Sequence, residues 1–139
     1  MIRELINDDL KSIDSIGSLI KDDFLNKNKI NERLKLDYVK IFVFVEENIV
    51  KGFIEIETHF EVVEIINIAV DKTYQHKGIA TTLINYIVDN YTCEKIILEV
   101  REDNLEALNL YKKNNFKEIN RRKKYYGNVD AIIMERELV

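Results

Sequence analysis

Apolar positions along this chain follow two periods, one helical and one strand-like. Leu10, Ile13, Ile16 and Ile20 recur at the spacing of a single helix face, behind an Asn7-Asp8-Asp9 cluster that offers helix caps. A short strand, Ile2 to Ile6, precedes them. Asn26-Lys27-Asn28-Lys29 reads as a polar break, followed by a second short helix around Ile30 to Leu36. β-Branched and aromatic runs then take over: Ile41 to Val45, a turn at Glu46-Glu47-Asn48, Ile49 to Thr58, and Val62 to Val70. Ile65 to Val70 is apolar almost throughout, the pattern of a strand covered on both faces. Helical spacing returns at Leu83, Ile84, Ile87 and Val88, and Lys95 to Val100 reads as another buried strand. Asp103-Asn104-Leu105-Glu106 has the spacing of a capping box and opens a helix to about Asn114. Phe116 to Ile119 and Ala131 to Leu138 complete the pattern. The fold class is α/β, with helices on both faces of the sheet.

Composition narrows the partners. With 139 residues, 46% of them hydrophobic and 33% charged, the chain reads as one globular domain over residues 1–139. A formal net charge of -4 argues against a general nucleic-acid coat, which needs surplus Lys and Arg. Cys93 is the only cysteine, so no intrachain disulfide forms. No apolar run reaches the roughly 18–20 residues that span a bilayer. The first residues lack a signal-peptide layout, so the expected compartment is cytoplasmic. His59 and His76 have no metal-ligand companions at useful spacing, so no metal site is expected.

Chemistry concentrates in two places. Asn67 to Leu83 reads as strand, basic-polar loop, then helix, with Gly78 near the junction. A helix start carries free N–H groups and the positive end of the dipole, which suits an anion. Gly78 and the small Ala80 let a phosphate approach the backbone, and only four glycines occur in the chain. A dinucleotide fingerprint or P-loop is absent. A glycine serving the loop alone is the other explanation. Further on, Leu98-Glu99-Val100-Arg101 ends a strand, and Asn104, Ala107 and Tyr111 then share one helix face. On spacing alone, Tyr111 reads first as an ordinary half-buried aromatic on an amphipathic helix. Glu99 interrupts a run built for burial, where an unpaired charge is costly.

Gln75-His76-Lys77-Gly78-Ile79-Ala80 resembles the Gln/Arg-x-x-Gly-x-Gly/Ala motif of the GNAT superfamily of acetyl-CoA-dependent acetyltransferases. Asn67-Ile68-Ala69-Val70-Asp71, Tyr74-Gln75, Leu98 to Arg101, Asn104, Leu110-Tyr111, Arg122 to Tyr126 and Asp130 to Met134 are similar to the bacterial ribosomal-protein alanine N-acetyltransferases. The likeness covers residues 66–134. It implies a GNAT fold, with a mixed central sheet of about six to seven strands flanked by about four helices. It implies acetyl-CoA as cosubstrate without a metal, held by Ile68, Ala69, Val70, the loop Gln75 to Ala80, Asn104 and Tyr111. Glu99 would be the general base and Tyr111 the general acid, with Asn104 against the pantetheine arm and Tyr125 and Tyr126 lining the acceptor channel. Asn115-Phe116 stands where Gly-Phe is usual, and the N-terminal third lacks the Phe-x-x-Pro-Trp-Ser-like segment that helps form the acceptor groove.

The expected reaction acetylates a primary amine, foremost the N-terminal alanine of a ribosomal protein, with neither nucleic acid nor membrane as direct partner. A lysine, a polyamine or an aminoglycoside is the alternative acceptor, and a non-catalytic acyl-CoA-binding module is the alternative outside enzymes. Charge favours the terminal amine. Deprotonating one of pKa about 8 at pH 7 costs about 1 kcal/mol, against nearly 5 for a lysine of about 10.4. The basic run Arg121-Arg122-Lys123-Lys124 reads as a charged hairpin edge or a dock for an acidic surface.

Overall fold

The structure, a computed structural model, describes residues 1–18 and 27–138, the side chains of residues 27 and 28 excepted. Strands β1 (Ile2–Glu4), β2 (Val39–Glu46), β3 (Ile49–His59), β4 (Val62–Val70), β5 (Lys95–Arg101), β6 (Lys117–Tyr126) and β7 (Val129–Glu137) form one sheet, ordered β1-β2-β3-β4-β5-β7-β6. Four helices accompany them: α1 (Leu10–Gly17), α2 (Lys27–Leu34), α3 (Ile79–Asn90) and α4 (Leu105–Lys113). Neighbouring strands run antiparallel except β4 and β5, whose parallel pairing is made possible by the α3 crossover.

Strand alternation sorts the apolar residues onto two faces. Ile54, Ile56, Ile65, Ile96, Leu98 and Met134 pack under α3 and α4, where Leu83, Ile84, Ile87, Leu108 and Tyr111 meet them. Ile41, Val43 and Phe53 face the other way and pack with Ile13, Ile16 and Ile30 of α1 and α2. This second cluster contains no residue of β5 or β7 among those described. The sheet is therefore covered on one face from β2 to β7, and on the other over β2, β3 and the end of β4 at Ala69; β6 is exposed over almost its whole length.

That coverage corrects the reading of β5 as doubly buried. Ile96, Leu98 and Val100 are buried, whereas Lys95, Ile97 and Glu99 between them are half-exposed on the uncovered face. Other elements shift too. The polar stretch through Lys29 lies inside α2 rather than ahead of it, because α2 is held by packing: Ile30 is fully buried and Arg33 pairs with Glu55. Ile20 and Asn26 lie outside the described residues. The cap of α4 is Asn104, whose Oδ1 accepts from Ala107 N at 3.1 Å; Asp103 is drawn instead to Arg101. Strand β6 runs well past Ile119 to Tyr126, so the basic run lies within an exposed edge strand.

The sheet opens between β4 and β5. Their pairing covers Val62 to Ile65 against Lys95 to Leu98 and then stops. At that point the β3–β4 register slips, leaving Ile66 without a partner in β3, a bulge that bends β4 away from its neighbour. Beyond it β4 remains bonded to β3 alone. Asp71 N bonds Lys51 O at 2.8 Å on the β3 side, so alternation turns the N–H groups of Ile68 and Val70 toward the gap.

Candidate active site

The loop after β4 is shaped by backbone conformation. Asp71 caps a single turn at Lys72–Tyr74 by accepting from Thr73 N at 2.9 Å. Gln75 then bends back, its Nε2 donating to Val70 O at 3.2 Å. His76 (φ 64°) and Gly78 (φ 82°) are both left-handed, and Gly78 is the N-cap of α3 without supplying a side chain to it. A Cβ at Gly78 would meet nothing within 4 Å, so the glycine serves its backbone angle and the open space in front of it. The first-turn N–H groups of α3 have no helical partners and point into that space. Lys77 extends elsewhere, its ammonium 5.8 Å from the Tyr74 ring centroid, while Lys51 approaches the same ring at 4.5 Å.

This loop is one wall of a cleft of about 710 Å³. Ile68, Ala69 and Val70 form its floor; Gln75, His76, Gly78, Ile79 and Ala80 line one side; Asn104, Ala107, Leu110 and Tyr111 line the other. Lys77 is not among the lining residues. Tyr111 projects from α4 into the cleft and is only 8% exposed. A Schellman motif sets its position: Phe116 N bonds Tyr111 O at 3.0 Å, Asn115 N bonds Lys112 O at 3.2 Å, and the Tyr111 and Phe116 rings meet at 5.8 Å. Asn115 takes the left-handed angle (φ 69°) that glycine would otherwise supply. Burial pushes the Tyr111 phenol up to about 12. The buried Asn114 ties α4 to α3, its Nδ2 donating to Thr81 Oγ1 at 3.2 Å and to Leu110 O at 2.9 Å. His76 and Glu106 reach across the mouth of the cleft to 3.8 Å, both highly exposed.

Residues 2–116 match the acetyltransferase (GNAT) family. The chain belongs to that family. An N-alpha-acetyltransferase of Saccharolobus solfataricus is 37% identical over 124 residues, which span 77% of this chain and 74% of the relative. The [ribosomal protein bS18]-alanine N-acetyltransferase of Salmonella typhimurium is 36% identical over 77 residues, half of this chain and 52% of that protein. Among solved structures, the ribosomal-protein-S18-alanine N-acetyltransferase of Escherichia coli superposes with a TM-score of 0.84 at 26% identity, covering 99% of this chain and 92% of that one. Ard1 of Thermoplasma volcanium, at 24% identity and a TM-score of 0.88, shares the fold. GNAT acetyltransferases draw their acetyl group from acetyl-CoA.

The cleft of this GNAT chain fits such a donor. A left-handed loop of free N–H groups suits a pyrophosphate, Ala80 and Ala107 keep both walls low, and an unpaired strand edge can bond an amide-bearing arm. Glu99 does not line the cleft. It sits on the uncovered face, with Arg122 Nε 3.3 Å from its Oε1 and Tyr126 Oη 3.5 Å from its Oε2. Burial, followed by the charge of Glu99, raises the Tyr126 phenol above its ordinary value. Tyr125 is more exposed; its ring lies 5.1 Å from that of Tyr126, edge-on, and Arg122 stands 5.3 Å from it. Glu99 is therefore half-exposed and partnered, not a charge forced into a core.

Two readings from spacing change. Arg121 is engaged by Glu118, Glu102 and Asp130, which leaves the basic run far less free charge than its composition suggests. His59 does acquire companions: its ring, Glu57 and Glu64 bring ligand atoms within 4.8 Å of one another. Glu64 comes from β4, opposite Glu57 across the ladder, a neighbourhood that spacing along one strand cannot show. His59 already bonds Glu57 at 2.9 Å, and burial, then Glu57, raises the Glu64 carboxyl. Sequence reasoning also missed Gly52, although an interior strand glycine is itself a signal of close approach. A Cβ there would lie 3.0 Å from Ala69 O and 3.2 Å from Ile79 Cγ2, so glycine lets α3 start directly above β3 and β4.

Proposed function

We propose that this GNAT acetyltransferase acetylates the α-amine of a polypeptide N-terminus, first among candidates the alanine terminus of a ribosomal protein. The carrying observation is the gap between β4 and β5. A donor cleft with Tyr111 lies toward the helical face, and Glu99 with Tyr126 lies toward the uncovered face. A thioester at the gap would meet the amine from the other side of the sheet.

In this reading His76, Gly78, Ile79 and Ala80 hold the pyrophosphate through backbone N–H groups. The strand edge at Ile68 and Val70 bonds the pantetheine arm, and Val70 N–H donates to the carbonyl oxygen as it gains charge. Asn104 spends its oxygen on the helix cap and keeps Nδ2 for the arm. Gln75 acts from behind by fixing Val70. Glu99 accepts the amine proton through water. Tyr111 donates a hydrogen bond to the departing sulfur. Its raised pKa alters the expectation of near-matched transfer: a phenol at about 12 facing a thiolate near 8.5 leaves about 3.5 units, roughly 5 kcal/mol, against full proton release. Tyr111 thus stabilises the thiolate while remaining the protonated partner. Tyr125 and Tyr126 flank the incoming peptide.

The names of the relatives that act on protein N-termini support the acceptor class. The test is Glu99→Gln assayed by coenzyme A release with an alanine-initiated peptide. We expect kcat to fall at least about a hundredfold, with acetyl-CoA affinity preserved. An unchanged rate would remove Glu99 from the mechanism.

A further inference from the structure

Glu55 is a carboxylate in the middle of β3 with no exposed surface. It is not isolated: Arg33 of α2 pairs with its Oε2, and Asn67 Nδ2 donates to its Oε1 at 3.1 Å. Burial pushes the carboxyl upward and the arginine opposes that push. Both carboxyl oxygens act as acceptors, Oε2 from the Arg33 guanidinium and Oε1 from the Asn67 amide. A group that can only accept fixes the neighbouring amide. Asn67 must turn its NH2 toward Glu55, and its carbonyl oxygen is left over. Among the described residues that oxygen has no hydrogen-bond partner, and no side-chain oxygen lacking a partner is buried, so Asn67 Oδ1 is open to solvent.

The position of that oxygen gives it meaning. Asn67 lies just past the bulge at Ile66, where β4 has left β5, opposite Glu55 in the ladder. Alternation puts it on the same face as Glu55 and Phe53, away from α3 and α4. Glu99 lies just past the last paired residue of β5 and faces the same way. The two lips of the gap thus each present an acceptor atom on the side of the sheet opposite α3 and α4, Asn67 at the edge of the α1–α2 cover and Glu99 beyond it. An amine nitrogen has N–H groups for both, whereas a hydroxyl has one. Two bonded hydrogens also fix where the nitrogen lone pair points.

We propose that Asn67 Oδ1 is a second docking point for the acceptor nitrogen, taking one N–H while Glu99 takes another through the bridging water, and that the buried Glu55–Arg33 pair holds the amide in that orientation. Asn67 touches substrate; Glu55 and Arg33 are positioning residues. The inference rests on the reading that places the acceptor on the Glu99 face.

Asn67→Ala should lower kcat/KM for an alanine-initiated peptide about tenfold, equivalent to about 1.4 kcal/mol. Acetyl-CoA affinity by calorimetry and the unfolding midpoint should stay near wild type. A kcat/KM within about twofold of wild type overturns the proposal. A cycle tests the positioning role. Arg33→Leu with Glu55→Leu removes both charges together, and the freed amide should then lose its orientation and most of the same tenfold. Adding Asn67→Ala to that background should cost little more; a further full tenfold would show that the pair only stabilises the fold. Should the leucine pair not fold, Glu55→Gln with Arg33→Met replaces it. A wild-type enzyme that ignores the peptide but acetylates a polyamine refutes the polypeptide reading, and the same comparison on the polyamine then decides the role of Asn67.

Discussion

Replacing Gly52 by alanine sets a methyl group against two elements that wall the cleft beside α3. The new Cβ would lie 3.0 Å from Ala69 O and 3.2 Å from Ile79 Cγ2, where ordinary contact begins at 3.4 Å. The carbonyl has little freedom, because it belongs to the β3–β4 ladder. Ile79 is buried in the first turn of α3 and cannot swing clear. Overpacking of this kind costs about 1–3 kcal/mol, and relief from the flexibility of an interior strand glycine returns about 0.5–1. A net loss of about 1–2 kcal/mol should lower the unfolding midpoint by roughly 3–6 °C in a chain of this size. The yielding atoms are those of Ala69 and Ile79, both in the cleft wall, so acetyl-CoA should also bind about three- to tenfold more weakly, or about 0.7–1.4 kcal/mol. Thermal denaturation and titration calorimetry on the purified variant measure the two effects. A variant as stable as wild type with unchanged acetyl-CoA affinity would refute the reasoning, because it would mean that α3 is not seated through Gly52.

Tyr111→Phe should slow coenzyme A release about ten- to a hundredfold in steady-state assays at pH 7–8, with acetyl-CoA affinity nearly kept. The same variant tests the raised phenol through stability. Below pH 10 both states carry neutral tyrosine; between 10 and about 12 the unfolded chain ionises while Tyr111 cannot, so wild type should lose up to about 2–3 kcal/mol there. Urea unfolding at stepped pH should show a shallower alkaline loss in Tyr111→Phe, and parallel curves would contradict the burial. Asn115→Ala forces a Cβ-bearing residue without a compensating side chain into the left-handed angle, and should cost about 1–2 kcal/mol. Asn115→Gly should be neutral or stabilising, read by the same denaturation midpoints. Arg33→Met strands the buried Glu55 carboxylate and should cost about 3–5 kcal/mol, more than any surface arginine substitution.

The order of elements was legible because period and punctuation agree: helical spacing at Leu83, Ile84 and Ile87, and β-branched runs around Phe42 and Ile65. The left-handed turn into α3 at Gly78 was legible because it is local, set by one glycine and one helix start. What escaped is set by neighbours far along the chain. Lys95 to Val100 looks doubly buried in sequence, yet α1 and α2 reach no farther than β4, which leaves Glu99 at a half-open surface. The bulge at Ile66 depends on the register of β3 and cannot be counted from β4 alone. Glu57, His59 and Glu64 meet across a ladder, and Glu55, Arg33 and Asn67 across two strands and a helix. The cap at Asn104 rather than Asp103 is decided by Arg101, which claims the aspartate.

The acceptor is tested most directly by site-resolved mass spectrometry on one peptide that carries both an N-terminal alanine amine and an internal lysine. Incubated with acetyl-CoA and the wild-type enzyme, it should gain its acetyl group on the α-amine, and Glu99→Gln should strip most of that rate while leaving acetyl-CoA bound. Acetylation of the lysine with the α-amine left free would contradict the account.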